Sequence, residues 1–404
     1  VLHDKERVDA IEDAMRAADL DVLVCVLPAN VLLLSGYWPV VGASVALATR
    51  GRNLALVVPA DERELAAGCR ADEITTFESG SLGDLRRTED ALRCQLARVA
   101  PRLLAGRGRV GFEDGGFYEP ASYSAAYRFG PGLRDFLSEI LPAAELCPAN
   151  VTLTQLRTIK TPTEVERIRT SCRLAGLAFQ AGAGRLRPGM RENEAAAAFS
   201  ASLAGAAGEL ADEERVSGFF YCMSGPNAAL ACRDYARSRG RRLGVAEPIL
   251  VHCNSCTNGY WTDISRSFFL GKPGNRLEQA FEAVFAARAA ALDTIRPGVS
   301  AAAVDRAARQ VLEDRGFGPA FKHPTGHGVG FGAIDHAAPP QIHPCSTESL
   351  APGVVFNVEP AVYLDGIGGV RQCDMVAVTA TGFELLTDFQ SEPAELIVAI
   401  HDAP

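Results

Sequence analysis

At 404 residues the chain is longer than one hydrophobic core usually organises, so two or more domains are expected. A hydrophobic share of 48% beside 22% charged residues is that of an ordinary globular protein. The net charge of −9 offers no basic stripe to neutralise phosphates. No run approaches the roughly 18 apolar residues of a membrane span. Neither a nucleic acid nor a membrane is therefore an expected partner.

Residues 4–20 carry Val8, Ile11 and Met15 at helical spacing. Residues 22–27 and 54–58 are short apolar runs bounded by Pro and Gly, the pattern of buried strands. Residues 74–77 and 109–112 read as further strands separated by helix. That alternation predicts an α/β domain over residues 1–150, with a boundary at Cys147-Pro-Ala-Asn150 and a second domain over 151–404. Soon after the boundary, Thr161-Pro162-Thr-Glu164 reads as a helix start. Thr161 caps, Pro162 takes the first helical position, and Glu164 closes a capping box. The helix is expected to reach Ala183 and stop at Arg187-Pro-Gly-Met190. The same stop recurs at Arg296-Pro-Gly-Val299, after an Ala-rich helix over 277–295. Each stop precedes another helix (192–205 and 301–315), and Gly-rich strands follow. The repetition predicts an internal duplication.

The dense basic run Arg237-Ser-Arg-Gly-Arg-Arg242 is read as a solvated loop rather than a site for an acidic group. The charged start, Val1-Leu-His-Asp-Lys-Glu-Arg, has no apolar leader core. Eleven cysteines, odd in number and without a framework, predict reduced thiols and a cytoplasmic protein.

Three segments carry the chemistry. The first is His252-Cys-Asn-Ser-Cys-Thr-Asn-Gly-Tyr-Trp-Thr-Asp263 and the second His323-Pro-Thr-Gly-His327-Gly-Val-Gly. The third is Glu359-Pro360 with Gly369-Val-Arg-Gln-Cys373-Asp. Strand alternation puts His252 on one face with Asn254 and Cys256, and Cys253 on the other. Gly259-Tyr260 reads as a turn that brings Asp263 back inward. Arg371 and Cys373 share a face. Cys253-Asn-Ser-Cys256 lacks the second pair of a zinc knuckle and is taken as structural.

Order and spacing resemble the family of methionine aminopeptidase, aminopeptidase P, prolidase and creatinase. The resemblance implies an α/β N-terminal domain followed by an α+β pita-bread domain with pseudo-twofold halves. It implies a hydrolase of a C–N bond in a small molecule or short peptide, Xaa-Pro aminopeptidase-like or prolidase-like, and a homodimer. Peptidases of that family hold two metal ions with Asp, Asp, His, Glu and Glu. Here His252 stands for the first Asp and Cys373 for the last Glu.

Asp263, His327 and Glu359 would remain as ligands, with Cys373 completing the set as a thiolate. Such a set suits tetrahedral Zn²⁺ better than Mn²⁺. The expectation is one divalent ion, or none. Creatinase works without a metal and relies on a histidine at the position of Cys232. Three readings of Cys232, His252 and Cys373 stay open: a softened metal site, a Cys–His nucleophilic pair, and simple packing. The resemblance makes His336 a donor to the scissile carbonyl, although its spacing from His327 differs from the family's. It makes Tyr363 and Arg371 substrate-handling residues and His323 a support for the loop presenting His327.

On the metallopeptidase reading, Glu359 shuttles a proton. On the alternative, a metal-independent amidinohydrolase or cyclic-amide hydrolase like creatinase, Glu359 and His327 act directly as acid and base. A non-catalytic peptide- or protein-binding relative is the third reading. It has little need for Asp263, His327, Glu359 and Arg371 together.

Overall fold

The structure, a computed structural model, describes residues 4–40, 42–78, 83, 86–104, 108–114, 132–209, 214–233, 237–333 and 338–400. The chain divides into two compact units, Val1–Arg157 and Thr158–Pro404.

The first unit opens with α1 (Lys5–Ala17), whose first turn is capped by Asp4 accepting from the backbone N–H of Arg7. There follow β1 (Val22–Cys25), α2 (Pro28–Ser35), β2 (Val45–Thr49), β3 (Leu54–Pro59), α3 (Arg63–Ala66) and β4 (Glu73–Phe77). Next come α4 (Thr88–Leu104), β5 (Gly108–Phe112), α5 (Gly132–Ile140), β6 (Ala144–Pro148) and α6 (Asn150–Thr158). Among the described residues the six strands form one sheet, ordered β4-β3-β2-β1-β5-β6. It is mixed: β2 runs antiparallel to both β1 and β3, and the remaining neighbours are parallel. Val22, Val45, Leu47 and Val57 of the sheet pack with Leu96 of α4 and Phe136 of α5.

Glu113, just beyond β5, accepts from the backbone N–H groups of Val26 and Leu27 and from Asn30 Nδ2 at the start of α2. Burial pushes its carboxyl from 4.5 up to about 7, against those hydrogen bonds. A folded pKa above the unfolded one means stability complete below about pH 4.5 and lost as pH rises to about 7. The first unit is expected to lose roughly 3 kcal/mol across that window, and Glu113→Gln is expected to remove the slope. Denaturant melts read by Trp38 fluorescence in a Trp261→Phe background check this. Parallel slopes in the two proteins would discard it.

The second unit opens with α7 (Pro162–Ala183), closed at its start by the expected capping box. The Glu164 N–H donates to Thr161 Oγ1 and the Thr161 N–H to Glu164 Oε2. α8 (Glu192–Ala206) precedes β7 (Val216–Ser224), β8 (Pro248–Thr257), β9 (Tyr260–Trp261) and β10 (Ile264–Leu270). Then α9 (Asn275–Thr294) and α10 (Ala301–Asp314) precede β11 (Val355–Val358), β12 (Ala361–Leu364), β13 (Gly368–Arg371), β14 (Asp374–Val378) and β15 (Phe383–Leu385). β16 (Ile397–Val398) closes the unit on the edge of β10. Two helices followed by antiparallel strands thus occur twice.

Phe179, Phe199, Phe220 and Phe268 interlock where α7 and α8 cover the sheet of β7, β8 and β10. An isolated antiparallel bridge between Ser265 and Cys373 joins strand segments from the two copies. No helix among the described residues is long and apolar enough to cross a membrane.

Candidate active site

The bridge between Ser265 and Cys373 marks where the side chains meet. Register places Ser265 of β10 and Tyr221 of β7 directly opposite His252 of β8, and cross-strand partners share a face. The Tyr221 ring lies parallel to the imidazole, centroids 6.4 Å apart. Arg371, at the end of β13, reaches the same face. Its Nη2 stands 3.0 Å from His252 Nδ1 and its Nε donates to Ser265 Oγ at 3.0 Å.

Guanidinium has only donors, so His252 Nδ1 must accept. Asn254 Nδ2 donates to the Thr262 carbonyl, which turns Asn254 Oδ1 toward His252 Nε2 at 3.1 Å. Nε2 therefore carries the hydrogen. Both ring nitrogens of His252 are engaged, and Nδ1 also lies 3.1 Å from Ser265 Oγ.

His327 is presented by a loop that only glycine can form on either side. A Cβ on Gly326 would lie 1.9 Å from the Asn357 carbonyl oxygen, and one on Gly328 would lie 2.0 Å from that of Pro339. Asp305, fully buried on α10, anchors the loop by accepting from the N–H and hydroxyl of Thr325. Asn357 Oδ1 takes the His327 N–H at 2.7 Å. The imidazole Nδ1 donates to the Gly328 carbonyl, and Nε2 stands 3.5 Å from Asp263 Oδ2.

Burial pushes the His327 imidazole down, but the hydrogen bond and charge of Asp263, with Glu359 behind, outweigh it and raise the pKa to about 9. Burial likewise pushes the Asp263 carboxyl up, and His252, His327 and Arg371 together hold it well below the ordinary carboxylate range. His327 and Asp263 form a buried imidazolium–carboxylate pair at neutral pH.

Glu359 is fixed by its N–H donating to the Thr325 carbonyl, and its Oε2 lies 3.7 Å from Arg371 Nη1. Cys373 is completely buried. Burial first, then the charges of Asp263 and Glu359, keep its thiol far above the usual thiol range. Its Sγ–H points at the Asp263 carbonyl oxygen, 3.2 Å away.

His323 donates from Nδ1 to the Pro324 carbonyl, so its Nε2 accepts from the Tyr363 hydroxyl at 2.9 Å. Tyr363, on β12, is buried, and burial raises its phenol pKa. Cys232 follows the turn over Gly225–Leu230 and is partly exposed, with Sγ 3.9 Å from the Ala229 carbonyl. His336 lies outside the described residues. In the basic run, Arg241 pairs with Glu247, and Arg242 donates to the Gly189 carbonyl.

His327 and Asp263 keep the posture of metal ligands, whereas His252 Nδ1 faces the Arg371 guanidinium and Cys373 Sγ is turned to the Asp263 carbonyl. Among the described residues, no three His, Cys, Asp or Glu side chains gather as ligands of one ion. The donor set as arranged does not fit a divalent metal. The sequence reading passed over Ser265, Asp305 and Asn357. The first and last sit two residues from Asp263 and Glu359, where strand alternation would have flagged them.

A two-domain chain with this α/β unit, these paired helix–strand halves and this polar cluster is a C–N hydrolase of the pita-bread class. Residues 166–380 match the profile of metallopeptidase family M24, and residues 7–159 match that of the creatinase/prolidase N-terminal domain. The chain belongs to metallopeptidase family M24. It is 25% identical over 388 residues to an Xaa-Pro dipeptidase of Pyrococcus furiosus, covering 96% of this chain and 99% of that one. Among solved structures, the Xaa-Pro dipeptidase from Bacillus anthracis is similar at TM-score 0.77 and 22% identity, covering 98% of this chain and 99% of that one. The X-Pro aminopeptidase from Thermotoga maritima is similar at TM-score 0.76 and 22% identity, covering 96% of this chain and all of its own (100%). At that identity the two structures establish the fold.

Proposed function

We propose that the chain hydrolyses a C–N bond of a small amide, ureido or amidine compound without a divalent metal, by acid–base chemistry of its own side chains. The observation that supports this lies at the two positions where the resemblance calls for carboxylate ligands: His252, whose Nδ1 faces the Arg371 guanidinium, and Cys373, a buried thiol turned to the Asp263 carbonyl.

Glu359 is the base. It takes a proton from a water molecule whose oxygen bonds to the acyl or amidine carbon. His327, charged and held by Asp263, is the acid. It gives its proton to the nitrogen as the C–N bond breaks, and the proton on Glu359 returns it to the resting state. Asp263 positions His327 and stabilises its charge. The Tyr363 hydroxyl is oriented by His323, and Arg371 lies beside Glu359.

The second reading is metal-dependent cleavage of Xaa-Pro peptides, which the named activity of the Pyrococcus furiosus relative favours. Protein purified without chelator is to be screened against Xaa-Pro dipeptides and a panel of small amides, ureido acids and cyclic amides. Turnover of a non-peptide substrate is expected to be unchanged by EDTA or phenanthroline. Turnover restricted to Xaa-Pro peptides and abolished by chelator would replace this reading with the second.

A further inference from the structure

Two further buried side chains join the His327–Asp263 pair. Asn357 on β11 is held to His327 twice. Its backbone N–H donates to the His327 carbonyl at 3.0 Å, and its Oδ1 takes the His327 N–H at 2.7 Å. With Oδ1 so used, the amide nitrogen is turned inward. Nδ2 stands 3.6 Å from Cys373 Sγ and 3.4 Å from His327 Nε2. Cys373 is placed by its own backbone, whose N–H and carbonyl pair with Ser265 at 3.1 and 3.3 Å. Its Sγ lies 3.2 Å from the Asp263 carbonyl oxygen. Asn357 and Cys373 are both completely buried.

We propose that Asn357 and Cys373 are positioning residues that tie His327 to Asp263 through a one-way chain of hydrogen bonds. The inference rests on the acid–base reading above and names what holds its acid in place.

Donor and acceptor chemistry gives the direction. A carbonyl oxygen only accepts, so Cys373 Sγ–H donates to Asp263. A side-chain amide nitrogen only donates, so Asn357 Nδ2 gives a hydrogen to Sγ, which accepts and donates weakly. The bonds therefore run from the His327 N–H through Asn357 and Cys373 to Asp263, each buried donor meeting an acceptor. Such a network is worth most when every member is satisfied.

The chain also decides where the ring hydrogen goes. Nδ2 cannot accept from Nε2, so the Nε2 hydrogen turns to Asp263 Oδ2, 3.5 Å away. The thiol suits this place. Where the resemblance calls for a glutamate, an ionised carboxylate would accept from Asn357 but has no hydrogen for the Asp263 carbonyl.

The test reads the His327 ring itself, by NMR after histidine-selective ¹⁵N labelling of the whole chain, before and after EDTA. Loss of the signals in His327→Gln assigns them. Wild type is expected to show the Nε2 hydrogen protected from solvent exchange, with no change on adding EDTA. Cys373→Ala and Asn357→Leu are each expected to speed that exchange by about tenfold, the effect of losing one ordinary hydrogen bond. Cys373→Ser, which accepts and donates along the same line, is expected to stay near wild type. The double variant is expected to exchange no faster than either single one, because bonds in series fail together.

An unprotected Nε2 hydrogen in wild type, or wild-type exchange in a folded Cys373→Ala, would overturn the inference alone. So would Cys373→Ser exchanging as fast as Cys373→Ala, since bulk and not hydrogen bonding would then hold the pair. Additive effects in the double variant would mean two independent contacts and no chain. If Cys373→Ala does not fold, wild-type exchange in Asn357→Leu overturns the inference; if neither folds, both are structural residues and it fails. Should EDTA itself move the wild-type signals, an ion holds the ring, and the acid–base reading falls together with the inference.

Discussion

Replacing Asp374 with Ala is expected to destabilise the second unit by about 3–5 kcal/mol, because it strands two buried guanidinium groups. For a unit of this size that lowers the thermal midpoint by roughly 6–20 °C. Asp374 immediately follows Cys373 and is fully buried. Its Oδ1 accepts from Arg266 Nη2 at 2.7 Å and from the Thr387 hydroxyl at 2.7 Å, and its Oδ2 accepts from Arg288 Nε. Burial pushes this carboxyl up, but Arg266 and Arg288 outweigh it and keep the pKa below the ordinary value. A lowered folded pKa means the contribution is present at neutral pH and is lost as pH falls through the acid range.

Arg266, itself 0% exposed, also donates to the carbonyls of Ser265, Cys373, Thr387 and Phe389. The network therefore clamps both strands of the Ser265–Cys373 bridge, and with it the floor of the site. Scanning calorimetry measures the effect on the second unit. A midpoint drop of less than about 2 °C would show that the two arginines find other partners or water, and the clamp would have to be abandoned.

The fold was legible where the signal is local. Thr161, Pro162 and Glu164 announce α7 because a capping box is written within four residues and satisfies N–H groups that the helix leaves unpaired. The strand at Val45–Thr49 was not legible. It is buried on both faces, so it lacks alternation, and its Ala-rich run carries no preference of its own. Its central place follows from pairing with strands on either side.

The same division holds at the site. His252, Asp263, His327 and Glu359 stand out because ionisable residues are rare in apolar strands and glycine-rich turns. What they do to one another did not stand out. Arg371 and Ser265 are 106 residues apart, and only the folded bridge brings the guanidinium onto His252. Residue types suggest ligands; hydrogen-bond direction decides whether a lone pair remains to bind with.

That distinction separates acid–base from thiol chemistry, and the prediction that follows has the larger expected effect. On whichever substrate the chelator-insensitive screen identifies, Glu359→Gln is expected to lower kcat by roughly 10²–10⁴-fold. Glutamine keeps the shape and the backbone bond to Thr325 but cannot take a proton. Cys373→Ser is expected to stay within about tenfold of wild type, since general-base loss is the costlier change. Its sulfur is a donor to the Asp263 carbonyl, and a serine hydroxyl donates along the same line. Burial and the charges of Asp263 and Glu359 hold the thiol protonated, so no thiolate is available as a nucleophile. Cys232→Ser belongs in the same series, because the partly exposed Cys232 thiol is the other candidate nucleophile. Single-turnover kinetics on the three variants, with unchanged circular dichroism as the folding check, read the outcome. If either cysteine variant falls as far as Glu359→Gln while remaining folded, acid–base hydrolysis by Glu359 and His327 is wrong and a covalent thioester or thioamidate route must replace it.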